Sequence, residues 1–182
     1  MNTKRVALIA GALATALTAG RAAVLTFDDV STTTLYETVP DGYGGLNWDQ
    51  MAVVNGNYHP VYGYGVVSGD YAAFNLAANV VTVSDGAFDF IGAYLTSAAD
   101  GYVNMNVKGY NGAAIIYDQT IVVGAPTWFN FNFNNIDSLV LDSGGYHFTM
   151  DDFTYVIPEP SSVAMAGLVS VLGVFIRRRF ML

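Results

Sequence analysis

Two kinds of residue are scarce in this 182-residue sequence. It has no cysteine, and residues 23–157 contain one base, Lys108. Without cysteine no disulfide can brace the chain, so an exported domain made from it must rely on core packing, strand pairing or bound metal. Without Lys and Arg there is little to neutralise phosphates, which excludes nucleic acid as a partner. Fourteen of the fifteen acidic residues share that stretch, giving it a formal charge of −13, while six of the seven basic residues lie toward the two ends. The same charge disfavours a strongly anionic glycan unless cations bridge it. Histidine is sparse too, with His59 and His147 alone, and neither a Gly-x-Ser-x-Gly elbow nor a metalloprotease helix motif is present. A non-catalytic role is therefore expected, and hydrolysis of a sugar polymer by paired carboxylates is the enzymatic alternative.

Long apolar runs are missing as well, since a bilayer crossing takes about 20 residues and the two apolar stretches here are shorter. At the start, Lys4 and Arg5 precede an uncharged, Ala-rich run over residues 6–19, followed by the small residues Ala19, Gly20, Ala22 and Ala23. That is the layout of a secretory signal peptide over residues 1–22, with cleavage near Ala22. At the other end, Pro158-Glu159-Pro160 interrupts any strand or helix. Residues 163–176 then carry no charge, and Arg177, Arg178 and Arg179 follow. Arginines closing a terminal apolar segment fit the positive-inside rule, with the chain before Pro158 outside the membrane.

The order Pro-Glu-Pro, apolar segment, arginine cluster resembles the C-terminal signal of exosortase-sorted PEP-CTERM proteins, which are exported by bacteria that make extracellular polysaccharide. The resemblance covers residues 158–182 and implies several things. The segment is a transient transmembrane anchor that a membrane protease removes. Exosortase and the secretion machinery are partners during export across the inner membrane. The destination is the cell surface or the extracellular matrix. It implies nothing about what residues 23–157 do, because proteins with such tails share the tail and differ in the domain before it.

Those 135 or so residues are enough for one domain with a real core. No sustained helical period occurs in them, while short alternating runs separated by turn signals recur. About eight or nine strands are expected, over residues 24–27, 71–75, 80–84, 88–96, 103–110, 113–123, 127–134, 136–141 and 146–156, while residues 41–65 read as long loops with at most a short strand at 51–54. Asn111-Gly112 marks a hairpin. Residues 127–134 put Phe129, Phe131 and Phe133 on one face and Trp128, Asn130, Asn132 and Asn134 on the other. The expected fold is all-β, an antiparallel sandwich of jelly-roll type, with a signal helix before it and a transmembrane helix after it.

Two constellations stand out. Asp28-Asp29 near the first strand and Asp151-Asp152 in the last each set two carboxylates beside an aromatic. The apolar phase of the last strand shifts between Met150 and Phe153, which predicts a β-bulge that re-aims a carboxylate. This pairing of first and last strand looks like the structural calcium site of many jelly-roll carbohydrate-binding modules. The resemblance implies Ca2+ at Asp28, Asp29, Asp151 and Asp152, and the plain alternative is turn and surface aspartates. The second constellation is Tyr43, Trp48, Tyr58, Tyr62 and Tyr64, in a Gly-rich stretch that does not alternate. Aromatic faces stack on sugar rings, so these residues are candidates to bind extracellular polysaccharide, with Trp128 and its asparagines as a rival platform. They serve equally as packing residues, and a self-associating or adhesive matrix protein is the alternative function.

Overall fold

The computed structural model describes Gly20 and residues 22–30, 35–98 and 101–158. The expected signal segment and sorting tail lie outside the described residues, apart from Gly20, Ala22 and Pro158. Ten strands and one short helix follow one another: β1 (Ala22–Leu25), β2 (Tyr36–Thr38), β3 (Asn47–Asp49), β4 (Met51–Asn55), α1 (Pro60–Gly63), β5 (Tyr71–Asn75), β6 (Val81–Ser97), β7 (Val103–Asn111), β8 (Ala114–Val123), β9 (Thr127–Asp142) and β10 (Phe148–Val156).

All pairings are antiparallel, in the order β2-β4-β5-β10-β6-β9-β7-β8, with β1 added to β10 and β3 to β6. The hydrogen bonding is continuous, yet the fold is a two-layered sandwich, because β6 and β9 each serve both layers. The first part of β6 pairs with β3, and its second part pairs with β10. The second part of β9 pairs with β7. The bends that carry these strands across are bulges. Between the partner pairs Phe88↔Ile136, Phe90↔Phe133 and Gly92↔Asn130, β9 advances three residues for every two of β6. The extra residues coincide with Asn132 and Asn135, whose φ values are 52° and 53°. Asparagine tolerates that left-handed conformation better than any β-branched strand former. Two of the expected strand pairs, 80–84 with 88–96 and 127–134 with 136–141, are therefore each one bent strand.

Alternation fills the space between the layers. Phe131 and Phe133 are buried as expected, and Phe90 stacks between Phe131 at 5.1 Å and Phe153 at 4.8 Å. Met51, Ala73, Leu95, Met105, Val107, Leu139 and Met150 complete the same core. Each fully buried Phe, Leu or Met adds roughly 1.5–3 kcal/mol of burial free energy, which stands in for the missing disulfides. The last strand breaks phase where expected: its register against β6 shifts after Asp151, and Asp152 takes φ 49°. The Asn111-Gly112 hairpin forms between β7 and β8, with Gly112 at φ 58°.

Residues 52, 54, 72 and 74 alternate away from this core, and on that outer face Ala52, Val54 and Phe74 form a second, smaller cluster covered by Tyr62. This outer face seats the loop that contains α1.

Candidate functional site

Residues 56–70 leave β4 and return to β5 as a closed loop. The Gly56 amide donates to the Asp70 carbonyl at 2.9 Å, and Asn57 Nδ2 donates to the Asp70 carboxylate at 3.1 Å. Ends that meet in this way, with the loop packed on its own residues, define a compact Ω-type loop. Within it the Gly56 and Gly63 backbones touch, so a side chain at either would part them. Tyr62 lies on Phe74 with ring centroids 4.7 Å apart, and both histidines, His59 at 4.6 Å and His147 at 5.6 Å, flank its ring.

Carboxylates pin the far side of the loop. Asp151 is fully buried on β10. Its Oδ2 accepts the amides of Val67 at 2.7 Å and Ser68 at 2.8 Å, and its Oδ1 accepts the Asp152 amide at 2.7 Å. Ser68 Oγ has one proton for two carboxylates, and its 2.6 Å distance to Asp152 against 3.3 Å to Asp151 gives that proton to Asp152. Burial holds the Asp151 carboxyl above the ordinary carboxylate range, against the pull of its three amide donors, and the Asp152 charge adds to the rise. Two residues along, Asp28 Oδ1 accepts the amides of Asp70 at 2.8 Å and Tyr71 at 3.2 Å. Glycines permit the close approach: Gly65 lies against Thr149 on β10, and Gly69, at φ 60°, lies against the Asp28 carboxylate. Seating the loop also covers Thr149 Oγ1, which is buried without a hydrogen-bond partner. A hydroxyl left so costs about 1–3 kcal/mol, which the clamp must offset.

The four aspartates expected to hold calcium are thus drawn to one loop, in part. Asp28, Asp151 and Asp152 bond to residues 67–71, at the end of the loop and the start of β5, whereas Asp29 accepts from Tyr43 Oη at 2.5 Å. Calcium takes six to eight oxygens that face it with lone pairs. Here the Asp151 oxygens face N–H groups, and among the described residues no group of three or more His, Asp or Glu side chains is arranged to hold a metal ion. Both oxygens of Asp151 thus serve a hydrogen-bond clamp.

The five aromatic candidates divide. Trp48 is 6% exposed, sits edge-on to Phe27 and Phe153, and donates its indole N–H to the Tyr43 carbonyl at 2.9 Å. It is a core residue. Tyr43 stacks on Phe27 and borders a separate cleft with Asp29, Val30, Glu37, Thr38 and Pro40. Burial, reinforced by Asp29, pushes its phenol far above the ordinary tyrosine range. Tyr62 is the half-buried seat of the loop. Tyr58 and Tyr64 remain, 79% and 61% exposed. Tyr64, Val61 and Pro60 form one wall of a cleft of about 390 Å3, whose other sides are Ser97, Ala98, Gly101, Gly124 and Ala125. Tyr102, the most exposed aromatic among the described residues, lies against Gly124. Trp128 lies over Gly92 with Tyr94 edge-on at 5.4 Å, on the sheet face as expected. No motif or alternation in the sequence marks Ser68, Gly65, Gly69, Tyr94 or Tyr102. Only the spacing of Gly65 and Gly69 around residues 66–68 carried a signal.

Outside the sandwich, the end of the chain is assigned by its sequence. Residues 156–179 match the PEP-CTERM protein-sorting motif. The motif implies exosortase-dependent sorting, and it starts at Val156, the last residue of β10. No curated protein is similar to the chain in sequence. Among solved structures, the domain is similar to the CBM22-1 xylan-binding domain from Paenibacillus barcinonensis Xyn10C, at 16% identity and a TM-score of 0.43 over 78% of this chain and 97% of that one. It is similar also to TmCBM61, solved in complex with β-1,4-galactotriose, at 14% identity and a TM-score of 0.37 over 66% and 95% of the two chains. Among the described residues no helix is long and apolar enough to cross a membrane; the apolar segment of the tail lies outside them.

Proposed function

We propose that this is an exported, non-catalytic domain that binds neutral extracellular polysaccharide at the cleft beside α1. One observation carries the reading: Tyr64 stands exposed at a cleft of about 390 Å3 that is also lined by the small residues Gly101, Gly124 and Ala125, a size suited to a sugar ring beside a phenol. The charge of −13 between residues 23 and 157 favours neutral polymers over acidic ones. The sorting motif supports export to a surface where such polymers occur. Affinity electrophoresis through gels containing soluble xylan, β-1,4-galactan and other neutral glycans tests it. Retardation by at least one polymer, abolished in Tyr64→Ala at unchanged melting temperature, is expected. No retardation by any polymer, or equal retardation of the variant, removes the cleft as the site.

A second reading rests on β8. This strand has a neighbour on one side only among the described residues, and Ile115, Ile116 and Val122 are exposed along it. Such an edge is a template for pairing with another chain, as a self-associating matrix protein would need. Sedimentation across a hundredfold concentration range tests this, and a strict monomer counts against it.

A further inference from the structure

The wall of the cleft has little hold of its own. Tyr62 on Phe74 anchors its middle, but the segment after Tyr64 meets the sheet through two glycines and a set of polar contacts. Those contacts converge on one side chain. Asp151 is fully buried, projects from the bulge of β10, and takes the consecutive amides of Val67 and Ser68 on one oxygen. Only Gly65 and Val66 separate Tyr64 from Val67, and Gly65 is already in contact with Thr149. Lifting 67–68 away from β10 must therefore displace Tyr64, since so short a backbone segment cannot absorb the movement elsewhere.

We infer that Asp151, assisted by Ser68, is the positioning residue of the cleft: its carboxylate fixes residues 65–69 onto β10 and so sets Tyr64 at the place where a sugar ring would stack. This rests on the polysaccharide-binding reading for its ligand, but the anchoring itself does not depend on any ligand. The requirement is for a carboxylate. Oδ2 faces two N–H donors and Oδ1 faces the Asp152 amide. An amide in either orientation would set its NH2 against a backbone N–H, with an unpaired donor left buried. Among the described residues the one lysine, Lys108, is engaged elsewhere, paired with Asp118 across β7 and β8. The bulge at Asp152 acquires a purpose in this arrangement. Without it Asp151 and Asp152 would alternate to opposite faces in regular register, whereas with it Ser68 Oγ reaches both.

The test combines hydrogen exchange with binding on the full chain as purified, using Asp151→Asn, Ser68→Ala, Ser68→Thr and Tyr64→Ala. In Asp151→Asn the amides of residues 66–71 are expected to exchange at least tenfold faster while those of β6 and β9 stay protected. Affinity for whichever neutral polymer retards the wild type is expected to fall about tenfold. Ser68→Ala shifts both readouts in the same direction by less, and Ser68→Thr, which keeps the hydroxyl, restores them. Tyr64→Ala loses binding with the loop still protected, which separates the stacking residue from the positioning one. If the wild type retards in no polymer, the binding reading fails, and exchange of 66–71 alone still decides the anchor. Wild-type exchange and affinity in Asp151→Asn overturn the inference. So does a calcium-dependent rise of several degrees in melting temperature that Asp151→Asn abolishes, because the carboxylate would then serve a metal. If Asp151→Asn does not fold, Ser68→Ala against Ser68→Thr carries the decision, and identical loop exchange in those two overturns the inference.

Discussion

Trp48 shows how a single side chain closes this core. Its ring fills the gap between Phe27 and Phe153, and its N–H is satisfied by the Tyr43 carbonyl, so the whole indole is buried without a polar penalty. Trp48→Ala should cost about 3–5 kcal/mol in chemical denaturation, from the lost burial and the cavity it leaves. A second residue-scale prediction concerns pH. Tyr43, Tyr62 and Tyr155 are all held protonated beyond the ordinary tyrosine range, each chiefly by burial, while the unfolded chain releases those protons near pH 10. The folded state thus binds more protons above that pH, so stability falls as pH rises through about 10 and above. Melting temperatures measured from pH 8 to 11 should hold level and then drop, and replacing Tyr62 and Tyr155 with Phe should flatten the drop. Tyr155 also donates its hydroxyl to the Gly44 carbonyl, so the double variant starts from lower stability.

At the scale of elements, the bent strands matter most. Asn132 and Asn135 turn β9 from one layer toward the other by taking positive φ, and the Asn135 amide is received by Asp89 at 2.7 Å. Asn135→Val should lose about 1–2 kcal/mol from the left-handed conformation alone, since a β-branched residue pays that cost and asparagine largely escapes it. Urea unfolding measures it, and an unchanged midpoint would mean that β9 can bend without this bulge. The 56–70 loop depends on close approach in the same way. Gly65→Ala forces a methyl into Thr149 and should destabilise by about 1–3 kcal/mol, with faster exchange confined to the loop. The alternation of β7 and of the first half of β9 was readable because a strand's two faces differ in every second residue. The merging of residues 80–96 and of 127–141 into single strands was not, since Asp85-Gly86 and Asn134-Asn135 look like turns until a partner strand runs past them.

For the molecule as a whole, β10 runs from the cleft to the residue at which the sorting motif begins. Its first residue, Phe148, is opposite Ser97 at the cleft, and its last, Val156, is opposite Asp89 and Ala22 where the sorting motif begins. Eight residues at about 3.3 Å each place the two roughly 26 Å apart along the strand. Removing the tail after Ile157 should therefore leave glycan retardation unchanged, as gels of the full and the trimmed chain will show. Signal cleavage after Ala22 would keep three of the four β1–β10 partner pairs. The excess of carboxylates acts on the entire domain: with a formal −13 and one ion pair among the described residues, self-repulsion opposes compaction. Raising sodium chloride from 10 to 300 mM should increase the melting temperature by a few degrees through screening.

The sequence by itself determined the class of the fold and the sorting signal. Each of these follows from local order: a period of two and a short motif. It also located the bulge at Asp151 and Asp152, because a break in alternation is a local event. Tertiary structure alone decided the use of the residues it picked out. Tyr43, Trp48 and Tyr64 sit in one Gly-rich stretch with the same chemistry, yet Trp48 enters the core and Tyr64 faces a cleft, because residues far along the chain, Phe153 in one case and Ser97, Ala98, Gly101, Gly124 and Ala125 in the other, supply the surroundings. The aspartates follow the same rule. A carboxylate serves a metal or a backbone according to what faces it, and what faces Asp151 is a pair of amides more than eighty residues earlier in the chain.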